Sequence, residues 1–145
     1  MKKIISHRGN ITGPCEELEN KPEYILNALK KGFDVEVDVW LINNVLFLGH
    51  DKPQYKIELN FITKKGLWCH AKNLEAFQYM LKNNVHCFWH ENEKCVLTSK
   101  NFIWCFPGIF LEGGITVILG KTNIIKQENI LGICTDYPID YLKEF

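Results

Sequence analysis

The eight residues Phe33-Asp34-Val35-Glu36-Val37-Asp38-Val39-Trp40 constrain this chain more than any other stretch. Strand side chains alternate between two faces, so Asp34, Glu36 and Asp38 share one side and Val35, Val37 and Val39 the other. The valines demand a core. The three acids repel one another, and burying them unpaired costs on the order of several kcal/mol each. Two arrangements satisfy them: an acidic solvent face on an edge strand, or a divalent cation held between the carboxylates. Hard oxygen donors favour Mg²⁺, Ca²⁺ or Mn²⁺. The octapeptide alone leaves both arrangements open.

Similar β-like runs recur along the chain at Lys3–His7, Val45–His50, Leu67–Ala71, His86–His90, Phe102–Phe106, Ile115–Leu119 and Leu131–Thr135. A hairpin is expected across Asn43-Asn44. Asn20-Lys21-Pro22-Glu23 reads as a capping box with proline in the first turn, opening a helix that places Ile25, Ala28 and Leu29 on one face and stops at Gly32. A second helix is expected from about Asn73 to Lys82, with Leu74, Phe77 and Leu81 as its apolar stripe. A shorter one is expected around Asn123–Asn129, and a last turn or two after Pro138. Strands alternating with helices predict a parallel sheet, and eight strands predict a closed barrel. A (β/α)8 barrel usually takes about 250 residues. The expectation for 145 residues is one α/β domain spanning 1–145, a reduced (β/α)8 TIM-like barrel with several helices shortened or missing.

Composition narrows the function classes. Seventeen Lys+Arg balance 17 Asp+Glu, which argues against a broad nucleic-acid-binding face but leaves room for a small phosphate ligand. With 46% hydrophobic and 23% charged residues the chain reads as globular. No apolar run approaches the ~18 residues of a membrane span. Ile4-Ile5 is too short for a signal-peptide core, so a cytoplasmic protein, mature from residue 1, is expected. The six cysteines contain no C-x-x-C pair and do not match structural zinc spacing. Cys69, Cys87, Cys105 and Cys134 lie in apolar runs and read as buried reduced thiols.

The histidines carry the chemistry. His7, His50 and His90 fall at strand ends, and His70 near the end of another. In a parallel barrel those ends converge on one rim. Arg8 follows His7, and its planar fork suits a phosphate. Lys72 follows His70 and is a second candidate phosphate contact, beside the plain reading of a solvated lysine. His86, at a strand start, reads as structural. The four tryptophans read as packing, with Trp68 sharing a strand face with His70.

His7-Arg8-Gly9, Glu19-Asn20, Glu36-x-Asp38 and His50-Asp51, in this order and at these intervals, resemble the glycerophosphodiester phosphodiesterase family of the phospholipase-C-like TIM-barrel superfamily. The ending Gly132-Ile133-Cys134-Thr135-Asp136-Tyr137-Pro138 is also similar to that family's last strand and loop. The resemblance implies a short, metal-dependent phosphodiesterase acting on a small glycerophosphodiester-like substrate. It implies His7 and His50 as general acid and base, Glu36 and Asp38 as metal ligands, Arg8 on the phosphate and Glu19 near the site. The family's fourth-strand Glu-x-Lys is here His70-Ala71-Lys72. His70 as third ligand tilts an expected Mg²⁺ or Ca²⁺ site towards Mn²⁺ or Zn²⁺. His90 or Glu91 would complete the site from the fifth strand. Attack by water and attack by a neighbouring substrate hydroxyl, giving a cyclic phosphate, both remain open. The alternative is a catalytically degenerate barrel that binds a phosphorylated ligand or partner without turnover. The oligomeric state is not legible.

Overall fold

The computed structural model describes residues 2–122 and 129–143. Ten strands join one sheet: β1 (Lys3–His7), β2 (Asp34–Ile42), β3 (Val45–Leu48), β4 (Tyr55–Ile57), β5 (Leu67–Ala71), β6 (Cys87–Phe88), β7 (Cys95–Leu97), β8 (Ile103–Cys105), β9 (Gly114–Ile118) and β10 (Gly132–Thr135). Among the described residues there are four short helices: α1 (Pro22–Lys30), α2 (Leu59–Ile62), α3 (Leu74–Lys82) and α4 (Pro138–Tyr141).

The (β/α)8 barrel expectation is overturned. Strands β8, β9, β10, β1, β2, β5 and β6 run parallel in that spatial order, but β3, β4 and β7 pair antiparallel with their neighbours. Among the described residues, only α1 and α3 are full crossover helices between paired parallel strands. The result is a small, mostly β, mixed sheet curled into a half-barrel. The physical reason is length: hairpins replace the helices that a ring of eight β/α units requires. The helix expected at Asn123–Asn129 lies outside the described residues, apart from Asn129 in a turn.

Residue parity on the strands divides two packing layers. Ile5, Trp68, Phe88, Trp104, Ile115, Val117 and Cys134 fill the inside of the curl. Trp104 of β8 stacks on Phe88 of β6 at 4.6 Å, although those strands share no ladder. Ser99 bridges the gap instead, donating its N–H to the Cys87 carbonyl at 2.8 Å. Outside, Val35, Val37 and Val39 pack with Ile25 and Ala28 of α1 and with Ala76 and Met80 of α3. Burying each valine contributes about 1.5–3 kcal/mol. Ile118, Ile130, Ile133 and Tyr141 form a smaller cluster that seats α4.

Two local expectations change. Ala76 and Met80 are the buried positions of α3, whereas Leu74 and Leu81 are 62% and 47% exposed. The helix approaches the sheet over its smallest side chain, and the leucines flank that contact. No side chain caps α1 at its N-cap Lys21. Asn20 has turned away to a carboxylate described below. The Asn43-Asn44 hairpin forms with φ of 48° and 62°, the doubly positive backbone of a type I′ turn.

His86 is structural, as expected. Its ring lies 4.3 Å from that of Trp68, and its Nε2 meets Thr98 Oγ1 at 2.9 Å. That hydroxyl accepts from the Phe102 and Lys100 N–H groups, which leaves its own proton for a neutral imidazole. Burial, then Lys100, lowers the His86 pKa to about 4 from 6.5. The unfolded chain therefore binds the extra proton first as pH falls, and stability is lost from pH 6.5 towards 4. His86→Phe is expected to reduce the drop in urea midpoint between about pH 7 and pH 5 relative to the parent. An unchanged drop would refute the assignment.

Candidate functional site

The parallel strands bring their C-terminal ends to one rim, and β1, β2 and β5 deliver most of the polar side chains there. Inward parity puts His7 on β1, Glu36 and Asp38 on β2 and His70 on β5 side by side, because His7 pairs with Glu36 and His70 with Asp38 in the ladders. Glu36 and Asp38 are 3% and 0% exposed. The acidic solvent face that the octapeptide also allowed is therefore not what forms. Asp34 lies lower on the same face, bonded to the Trp68 indole N–H at 3.0 Å and paired with Lys3.

One ligand atom from each of Glu36, Asp38 and His70 falls within 4.8 Å of the others. His70 Nδ1 is 3.2 Å from Asp38 Oδ1 and 3.8 Å from Glu36 Oε1. Its Nε2 donates to the His90 carbonyl at 2.9 Å, which fixes the ring and aims Nδ1 at the acids. Glu36 Oε2 and Asp38 Oδ1 are buried without a hydrogen bond. Two buried carboxylate oxygens without a hydrogen bond, beside an imidazole nitrogen, can serve as donors to a divalent cation. Glu36, Asp38 and His70 thus fit a metal ion.

Hydrogen bonds from the first loop hold this cluster. Asn20, at φ 63°, donates Nδ2 to Asp38 Oδ2 at 2.9 Å and accepts the Asp38 N–H at 3.0 Å. Arg8 Nε lies 3.1 Å from Asp38 Oδ2, off the hydrogen-bond line, and its Nη1 donates to Glu19 at 3.3 Å. Lys72 Nζ stands 4.0 Å from Asp38 Oδ1. Gly9 follows Arg8 at φ 91°, and a Cβ there would come within 2.7 Å of the Tyr24 ring. Only glycine lets the loop turn back under Arg8.

His7 is oriented from behind. Its Nδ1 lies 2.8 Å from Asp136 Oδ1, which also accepts from Asn10 at 2.7 Å. Nε2 faces Glu36 Oε2 at 3.9 Å. Burial disfavours the His7 imidazolium, but the Asp136 bond and the Glu36 charge outweigh it and raise the pKa. Burial also opposes the His70 imidazolium and is outweighed by Asp38, so His70 rises. Burial, then the Asp38 charge, raises Glu36. Burial works against the Asp38 carboxylate too, yet the neighbouring His70 imidazole and Arg8 hold it well below the usual range. His50, half-exposed and bonded to Asp51 at 2.8 Å, is lowered by burial and by Arg8.

Two cavities meet over Arg8 and His50. One, of about 240 Å³, runs from His7, Glu36 and His70 to an apolar wall of Phe88, Trp104, Phe106 and Leu119. The other, of about 390 Å³, is polar, with Glu16, Glu19, Asp51 and Lys52.

The rim therefore gathers His7, Arg8, Glu19, Glu36, Asp38, His70 and Lys72, with His50 lining both cavities. His90 lines the smaller cavity and holds His70 through its carbonyl. Glu91 is not brought in: it is exposed and lines neither cavity, its N–H bonded to Glu93. Sequence reasoning missed Asn10, Asn20 and Asp136 as site residues. Asp136 was findable, since it follows a parallel strand as His7-Arg8 does.

No family model, curated protein or solved structure matches this chain. The site stands on its own geometry. No helix among the described residues is long and apolar enough to cross a membrane.

Proposed function

We propose that this protein is a cytoplasmic, divalent-metal-dependent phosphoric diester hydrolase for a small glycerophosphodiester-like substrate, related to the glycerophosphodiester phosphodiesterases. The observation that carries the reading is the pair of orphaned carboxylate oxygens on Glu36 and Asp38 beside His70 Nδ1, next to His7 and Arg8. The six free thiols favour a reducing compartment. A balanced charge keeps nucleic acid out of the proposal.

Glu36, Asp38 and His70 would hold the ion. When bound, it supplies Lewis-acid polarisation of a phosphoryl oxygen and offsets developing negative charge. Arg8, at the junction of the cavities, orients the phosphate, with Lys72 nearby. The phosphate's two alcohols would then divide between the apolar slot and the polar groove. His7 is anchored at Nδ1 by Asp136, so Nε2 is the atom that exchanges a proton with substrate. His50 stands across Arg8 with its pKa lowered, opposite in direction to His7. Pushing the two imidazoles apart suits one to donate and the other to accept.

The test is hydrolysis of a chromogenic phosphodiester with Mg²⁺, Ca²⁺, Mn²⁺ or Zn²⁺, before and after chelation. Turnover that needs a metal and stops on chelation is expected. A folded protein that binds phosphate yet turns over nothing with any ion would establish the second reading, a phosphate-binding domain. The 3.2 Å approach of His70 Nδ1 to Asp38 Oδ1 favours that alternative, since a protonated His70 would offset the Asp38 charge without a metal.

Asp136→Asn keeps the side-chain shape and removes the charge. The His7 pKa is then expected to fall, read by NMR titration of its ring protons, and the limb of the pH–rate profile belonging to His7 moves to lower pH. An unmoved His7 titration would remove Asp136 from the site.

A further inference from the structure

The hairpin of β7 and β8 places two thiols opposite each other. Cys95 pairs with Cys105 in antiparallel register. The Thr98 N–H bonds to the Phe102 carbonyl and the Phe106 N–H to the Lys94 carbonyl. Hydrogen-bonded pairs alternate with non-hydrogen-bonded ones along such a ladder, so 94/106, 96/104 and 98/102 are bonded and Cys95/Cys105 is not. Non-bonded antiparallel partners stand about 4.5 Å apart at Cα. That lies within the roughly 4.4–6.8 Å window of a disulfide. Both side chains leave the same face of the hairpin.

We propose that Cys95 and Cys105 are a dithiol modification site that a peroxide oxidises to a cross-strand disulfide. Cys95 is exposed and meets the oxidant, whereas Cys105 is buried and waits as the resolving thiol. The Cys95 thiolate attacks one peroxide oxygen; the O–O bond breaks, giving Cys95 sulfenic acid and hydroxide. The Cys105 sulfur then attacks the Cys95 sulfur, the S–O bond breaks and water leaves. Two thiols and one hydrogen peroxide become one disulfide and two waters. Cys105 Sγ rests against Gly114, where a Cβ would come within 2.9 Å of it, so the absence of a side chain there makes room for the thiol.

Cys69 and Cys87 are also register partners, but both are fully buried beneath α3 and out of an oxidant's reach. β7 is an edge strand whose ladder partner is β8 alone. A covalent clip there pins an edge strand of the sheet. It also fixes the strand leading into Phe106, which walls the smaller cavity. The inference is independent of the proposed hydrolase activity.

The experiment treats the folded chain with a small excess of hydrogen peroxide and maps peptides without reduction. A peptide linking Cys95 to Cys105, with loss of two hydrogens in intact mass, is expected. Dithiothreitol should reverse it, and Cys95→Ser should not form it. Trypsin cleavage after Lys100, inside the hairpin, should slow on oxidation and recover on reduction. Sulfinic acid at Cys95 with Cys105 still free, a Cys69–Cys87 link alone, an intermolecular link through Cys95, or no reaction would each overturn the proposal.

Discussion

Replacing His7 with alanine is expected to lower metal-dependent phosphodiester turnover by about 10²–10⁴-fold, the usual worth of a positioned proton-transfer group. The fold should survive. Asp136 keeps its bond from Asn10 when the imidazole is removed, so that carboxylate is not stranded. Thermal melting followed by circular dichroism checks the fold, and initial rates across pH check the chemistry. His50→Ala is expected to lose activity comparably, with less effect on stability because His50 is half-exposed. Activity within a few-fold of the parent for either variant would end the acid/base assignment.

Glu36→Gln is expected to move stability in opposite directions with and without metal. In the metal-free protein Glu36 is a buried charge beside Asp38, and its pKa is raised by that burial and that neighbour. A raised carboxyl pKa means the native state resists ionisation, so at neutral pH the charge opposes folding. Removing it should stabilise the metal-free protein by on the order of 1 kcal/mol. The parent, however, should gain about 2.7 kcal/mol from an ion at 100 times its Kd. Glu36→Gln should lose most of that gain. Melting curves of both proteins with Mn²⁺ and with chelator read the crossing directly. Equal metal-induced shifts would remove Glu36 from the ligand set, and no shift in either protein would remove the metal.

Much of the sheet was legible because strand chemistry is local. The alternation of residues 34–39 set the two faces, and all eight expected strands occur, Lys3–His7 and Leu67–Ala71 with the expected ends and the other six with shifted ones. The rim was legible for the same reason, since residues ending neighbouring parallel strands meet whatever closes the sheet. The barrel was not, because a count of strands does not fix their direction. The short β4 and β7 carry three residues each, too few for a pattern. Glu91 shows the limit of the rim rule: β6 ends at Phe88, so three further residues release Glu91 from the strand's direction. Asn20 misled as a helix cap because its amide serves Asp38, a partner 18 residues away that no window around the helix contains. Leu74 and Leu81 misled because hydrophobicity outweighed size, and contact with the sheet selected Ala76.

The place of β1 between β2 and β10 has a consequence during synthesis. β1 leaves the ribosome before β2 and β10, and β2 can join it soon afterwards. Its other neighbour arrives more than a hundred residues later, because the bond between His7 and Asp136 spans 129 positions. Until then one flank of the founding strand stands open to any passing strand. Chains stalled before Gly132 should therefore aggregate in preference to holding a partial sheet, and the proton-exchanging ring should stay unanchored in every nascent form.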